Sequence, residues 1–143
     1  MIVIRLGLVA SMLFLAACGD YKVMDPENQE GVTSQVDAIN VIVRFENNPT
    51  AKVLQARLPL TLSMQDLHQN EKYFYFDEPF PTNPERVGSI RAGDVMLYGD
   101  DCLVLFYKDV ETSYAYTRIG RVEDFSTLAP LLGSGTVELT FQN

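Results

Sequence analysis

The chain has 143 residues, 47% of them hydrophobic, with 11 basic against 19 acidic side chains and a formal charge of −8. That length holds one domain with a real core and not two comfortable ones. The acidic balance excludes a nucleic-acid partner, which needs a basic footprint, and with one histidine and two cysteines no pair stands at metal-ligand spacing.

Residues 1–17 read as a secretory signal peptide. Arg5 supplies the positive start, Leu6 to Leu15 the apolar run, and Leu15-Ala16-Ala17 a small-residue cleavage zone. The run is too short to span a bilayer as a mature helix. Cys18 follows directly, and Leu-Ala-Ala-Cys resembles the lipobox of bacterial lipoproteins, in which the cysteine thiol receives a diacylglyceryl group and becomes the new N-terminus. Several acyl chains, at about 0.8 kcal/mol per buried methylene, anchor stably where one does not. Gly19, in place of a retention aspartate, directs the expectation to the outer membrane, facing the periplasm. Loss of Arg5 with the signal leaves ten basic residues against nineteen acidic, so the membrane partner is reached through lipid and not through anionic headgroups.

Residues 18–35 are polar without a sustained period and predict a flexible tether; the domain proper is expected over 36–143. Ile39 to Phe45 reads as a strand. Asn48 is placed to cap a short helix with Pro49 at its first position, running to about Leu58 with Val53, Leu54 and Leu58 on one face. Leu60 to Met64 alternates as a half-buried strand, Gln65 to Asn70 is a polar connection, and Lys72 to Phe76 is a strand apolar on both faces. Residues 77–93, with Pro79, Pro81, Pro84, Gly88 and Gly93, form the one long irregular stretch. Loops of that length are usually functional or loosely ordered.

Asp94 to Tyr98 and Cys102 to Tyr107 predict a hairpin about Gly99-Asp100-Asp101. With Cys18 lipidated, Cys102 has no disulfide partner and reads as a small buried strand residue. Tyr114 to Ile119 is a further strand. A second helix is expected over about Asp124 to Leu132, with Phe125, Leu128, Leu131 and Leu132 inward and Gly133 as its stop, and Thr136 to Phe141 is the last strand. Many strands with two short helices predict a mainly β fold, a barrel and not a parallel α/β sheet.

Several segments in order resemble the bacterial cyclophilin-like domain family: Asn47-Asn48-Pro49-Thr50-Ala51-Lys52, Leu58-Pro59-Leu60-Thr61-Leu62, Asn70-Glu71-Lys72, Ala92-Gly93-Asp94, Leu103 to Asp109, and Arg118-Ile119-Gly120-Arg121-Val122. The resemblance covers roughly residues 38–142. It implies a closed barrel of about eight strands capped by two short helices, with no cofactor. Cyclophilins proper are peptidyl-prolyl isomerases whose proline site lies on the barrel's outer face.

Prolyl isomerisation has a barrier near 20 kcal/mol and needs no covalent step. The enzyme grips the proline in an apolar pocket and places a donor near the imide nitrogen. In cyclophilins a strand arginine is that donor, beside a phenylalanine, with tryptophan and histidine at the rim. The corresponding strand here, Lys72 to Phe76, has no arginine, the chain has no tryptophan, and His68 falls in an earlier loop. No catalytic residue is therefore assigned.

What the resemblance retains is a surface. Phe106 matches the phenylalanine of the proline pocket. Strand alternation places Val95, Leu97, Leu103 and Leu105 inside the barrel and Met96, Tyr98, Val104 and Phe106 together outside, an apolar cluster of the kind that marks a binding face. Arg86 and Arg91 lie in the loop, and Arg91 is the loop arginine assigned to the rim. The leading expectation is a non-catalytic module that binds a small ligand or an extended peptide at Met96, Tyr98, Val104, Phe106 and Arg91. The alternatives are a weak prolyl isomerase using Phe106 and a loop arginine, and a structural lipoprotein that docks an envelope protein through the same face. The competing view of the patch itself is that residues 77–93 fold over it and complete the core.

Overall fold

The structure, a computed structural model, describes residues 37–143. The expected signal peptide (1–17), the lipidation residue Cys18 and the tether (18–35) lie outside the described residues. Among the described residues no helix is long and apolar enough to cross a membrane.

The elements run β1 (Ile39–Phe45), α1 (Pro49–Gln55), β2 (Leu60–Leu67), β3 (Glu71–Tyr75), β4 (Glu85–Arg86), β5 (Ser89–Ile90), β6 (Asp94–Tyr98), β7 (Cys102–Phe106), β8 (Val110–Glu111), β9 (Ala115–Val122), α2 (Phe125–Leu132) and β10 (Val137–Gln142). The main sheet has the order β1-β10-β2-β3-β7-β6-β9-β4, and β1 also pairs with β9. Seven strands therefore close on themselves as a barrel, and the two-residue β4 rides on β9 as an eighth. A separate ribbon joins β5 to β8. Only β1 and β10 run parallel among the paired strands.

The inward residues follow the period of two. Val41, Val43, Leu62, Met64, Val95, Leu97, Leu103, Leu105, Leu139 and Phe141 meet in one interior cluster. Helix α1 adds Ala51 and Leu54. It begins where the sequence places it, with the Asn48 Oδ1 accepting from the Ala51 amide at 2.8 Å and Pro49 at the first position. The Asn48 Nδ2 donates to the Arg118 carbonyl at 2.8 Å, which fastens the helix to β9. Helix α2 adds Leu128 and Leu132, four residues apart on one face, while Leu131 is exposed, contrary to its expected inward position.

Two departures from the sequence expectation shape the outer face of the barrel. Strand β2 does not stop at Met64 but continues through Gln65-Asp66-Leu67, paired with β3. The reversal is then the three residues His68-Gln69-Asn70, the first two with φ of 53° and 54° and the Asn70 amide donating to the Leu67 carbonyl, the handedness of the primed hairpin turns. Strand β9 carries a bulge: Val95 pairs with Gly120 and Met96 with Arg118, leaving Ile119 as the extra residue. The bulge resets the alternation, so Ile119 joins the interior cluster and Tyr116 faces out.

Gly120 sits where β9 meets β1 to close the barrel. A Cβ built there collides with the Arg44 carbonyl oxygen and comes within 2.9 Å of the Val43 Cγ1. A backbone carbonyl has no rotamer to swing away, so Gly120→Ala is expected to destabilise the protein by about 1–3 kcal/mol, read as a lowered urea midpoint at unchanged slope.

Candidate functional site

The outer surface of β3, β7, β6 and β9 collects a second apolar set. Register sets Tyr75, Cys102 and Tyr98 in one row, Tyr73, Val104 and Met96 in the next, and Glu71 beside Phe106. The bulge adds Tyr116. Residues 77–93 are anchored first at the barrel end, with Phe80 in the interior cluster, and then reach this face through Val87 and Ile90. The Phe80 amide donates to the Asp100 carbonyl at 2.7 Å, the Thr50 hydroxyl to the Pro81 carbonyl at 2.5 Å, and the Asn83 amide to the Thr117 Oγ1 at 3.0 Å. The Arg57 guanidinium lies 4.4 Å from the Phe80 ring centroid. Strand β5, paired to β8, delivers Ile90 into a cluster with Met96, Cys102, Val104, Phe106 and Tyr116, flanked by Val87 and Val110.

The expected surface is therefore divided. Met96 and Phe106 are sealed beneath Ile90, and Phe106 is 0% exposed. This corrects the expectation of an open face at those two positions: the irregular stretch covers them, in line with the competing view. Val104, 2% exposed, is buried in the same cluster and only floors an open groove of about 480 Å³, whereas Tyr98 is exposed at its rim. Arg91 is exposed, its backbone amide donating to the Asp94 carboxylate at 2.9 Å, and it does not line the groove; neither does Arg86.

The groove draws on residues that the sequence does not bring together. Tyr73, Tyr75, Tyr98, Tyr114 and Tyr116 line it, five of the seven tyrosines in the chain. Glu71, Glu111, His68, Asn70 and Thr112 add polar groups, and among the described residues no lysine or arginine lines it. A relay of rings leads from core to rim: Phe106 meets Tyr116 at 5.7 Å, Tyr116 meets Tyr98 at 5.5 Å, and Tyr98 meets Tyr114 at 6.0 Å. Among the described residues six large hydrophobic side chains are exposed, and four of them, Leu67, Tyr75, Tyr98 and Tyr114, border this one groove. The number of tyrosines in 73–75, 98 and 114–116 is the signal that sequence could have offered.

The electrostatics are those of a half-desolvated acidic hollow. Burial raises the Glu71 carboxyl above its ordinary range, opposed in part by His68. Burial, reinforced by the Glu71 charge, lifts the Tyr116 hydroxyl to about 12. Burial lifts the Cys102 thiol to about 11, so at neutral pH it is protonated and a poor nucleophile.

A second cavity of about 520 Å³ lies by the start of α1. Much of its polar lining is already engaged: Asn48 donates to the Arg118 carbonyl, Thr50 to that of Pro81, Thr117 accepts from the Asn83 amide, and Arg118 pairs with Glu85 at 2.9 Å. It has no exposed large hydrophobic side chain in its lining, and the tyrosine groove, which has four, is the better candidate site.

A model of the cyclophilin-like family matches residues 35–142. A crystal structure of an uncharacterized B. cereus protein shares the fold at a TM-score of 0.55 and 13% identity, over 74% of this chain and 34% of that one, so the chain spans about a third of that protein's length. No curated protein matches the chain in sequence. With the family match spanning the whole closed barrel, the chain belongs to the cyclophilin-like family.

Proposed function

We propose that this protein is a lipid-anchored envelope lipoprotein whose barrel binds a small ligand or an extended peptide in the tyrosine groove without isomerising it. The observation that carries the reading is the convergence of exposed Leu67, Tyr75, Tyr98 and Tyr114 on one groove. Isolated exposed hydrophobics are ordinary, but a contiguous set marks a binding surface.

The absence of a lysine or arginine among the described lining residues favours binding over catalysis. Isomerisation needs a donor at the proline nitrogen, and a donor must come within hydrogen-bond reach of its target. On the outer face of β3, where the resemblance places the family's arginine, stand Glu71, Tyr73 and Tyr75. The phenylalanine of the proline pocket, Phe106, is closed off by Ile90.

The test is a fragment and peptide screen on the intact protein, read by the ring resonances of isotope-labelled tyrosine. Bound compounds are expected to shift Tyr98 and Tyr114 together and to lose affinity in Tyr98→Ala. Hits that cluster elsewhere and ignore Tyr98→Ala would contradict the reading. The anchoring half is tested by Cys18→Ser, expected to move the protein from the membrane to the soluble fraction.

A further inference from the structure

We propose that the groove is selective for an organic cation, an alkylammonium group held among tyrosine rings and two carboxylates. This deepens the preceding reading and rests on the same groove.

Three independent features converge. The first is ring geometry. Tyr73 and Tyr75 meet at 76° and Tyr98 and Tyr114 at 79°, so the rings stand as walls at steep angles and not as a stack. Edge-to-face pairs are not stacked face on face, so each pair keeps ring face and hydroxyl available, and tyrosine faces attract ammonium groups.

The second is charge. Glu71 and Glu111 line the groove, and neither has an ion-pair partner among the described residues, whose pairs are Arg44–Glu123, Arg57–Glu78, Lys72–Asp66, Arg118–Glu85 and Arg121–Asp94. Two carboxylates share the groove with five tyrosines, and only Glu71 is partly offset, by His68. With no lysine or arginine among the described lining residues, the balance disfavours an anionic guest and favours a cation supplied from outside. Desolvation of Glu71 has the same sense, since a carboxylate withdrawn from water gains most from a cation that arrives.

The third is an unmet acceptor. The Asn70 Oδ1, at the groove wall, is buried with no hydrogen-bond partner. Buried acceptors in native proteins nearly always have one. Asn70 is one of the lining residues, and no group of the described protein satisfies this acceptor.

A free small ammonium compound and a lysine side chain on an extended peptide share this chemistry. The experiment separates them, and separates charge from shape. The intact protein, with labelled tyrosine rings, is titrated with choline, with its neutral isostere 3,3-dimethylbutan-1-ol, and with N-acetyl-lysine methylamide. Choline or the lysine derivative is expected to shift Tyr98 and Tyr114 saturably, and the neutral isostere to bind at least about tenfold more weakly than choline. The tighter of the two cations identifies the source. Glu71→Gln is expected to weaken the cations severalfold and leave the isostere unchanged. Tyr114→Leu, at an exposed position that leaves the fold intact, should weaken them as well. Equal binding of choline and the isostere would overturn the cation inference while leaving the groove as a binding site. Failure of both cations to produce saturable shifts would overturn the inference outright, and hits from the fragment screen would then decide the fate of the groove itself.

Discussion

Replacing Lys72 by methionine is expected to cost about 3–5 kcal/mol, the largest effect of any single polar substitution in the barrel. Lys72 lies on β3 in the row that faces the interior, 0% exposed, at the mouth of the barrel. All three of its ammonium protons are used: one on the Asp66 Oδ2 at 2.7 Å, one on the Gly133 carbonyl at 2.9 Å and one on the Gly135 carbonyl at 2.6 Å. The Tyr107 hydroxyl donates to the same Asp66 oxygen at 2.6 Å, and the Gln69 amide to the other at 3.0 Å. One side chain thus ties the β2–β3 hairpin to the segment after α2. Methionine fills the space but strands the carboxylate and two carbonyls, and it is the stranded groups that destabilise. By contrast the Arg44–Glu123 pair is 3.4 Å apart with its arginine side chain 80% exposed, and Arg44→Ala should change stability by no more than about 0.5 kcal/mol. Urea unfolding of the two variants checks the contrast.

The same network sets the acid response. Burial alone would raise the Asp66 carboxyl, but hydrogen bonds from Lys72, Tyr107 and the Gln69 amide outweigh it and hold the carboxyl below the ordinary aspartate range. A group whose folded pKa is depressed contributes stability above its unfolded value, about 4, and loses it as pH falls through the lower folded value. The stability gap between parent and Lys72→Met should therefore be widest near neutrality and narrow below about pH 4. A gap that stays constant down to about pH 3 would contradict the assignment.

Truncating Phe106 to alanine is expected to cost about 3–5 kcal/mol and to damage the fold before any ligand is considered. Its ring is sealed beneath Ile90 and against Tyr116, and its carbonyl accepts from the Gly93 amide at 2.7 Å. Tyr98 is 43% exposed and shares ring contacts with Tyr114 and Tyr116. Tyr98→Ala should cost only about 1 kcal/mol from those contacts and act mainly on binding. Thermal unfolding of the pair checks this, and equal melting points would show that Ile90 does not seal Phe106 in solution.

The barrel was legible where a local rule governs. Alternation sorts Val95, Leu97, Leu103 and Leu105 from their outward neighbours because side chains on a strand change face at every step. Asn48-Pro49 announces a helix start because the cap and the proline act within one turn. The groove was less legible because nonlocal register builds it. Tyr75 and Tyr98 come together only through Cys102 between them, and Tyr116 faces outward only because the β9 bulge shifts the count by one. The reading of Lys72 to Phe76 as a strand apolar on both faces gives no sign of a buried ammonium, whose acceptors at Gly133 and Gly135 lie 61 and 63 residues away. Likewise, no pattern within residues 77–93 reveals that Ile90 will pair beside Val110 and close the patch.

The segments that carry the family resemblance are fasteners. Asn48 pins α1 to β9, Lys72 closes the barrel mouth, Asp94 accepts from Arg121 at 2.6 Å across β6 and β9, and Gly120 admits the contact with β1. None of the groove tyrosines stands in those segments, whereas Asn70, Glu71 and Val104, which also line the groove, do.

Whether the cyclophilin-like barrel binds at its outer face without catalysing is tested most directly by cis/trans exchange of a proline-containing peptide, followed by NMR with the intact protein at high concentration. Exchange is expected at the uncatalysed rate, even for a peptide that shifts Tyr98 and Tyr114. Accelerated exchange that disappears in Tyr98→Ala would contradict this and make the groove an isomerase site.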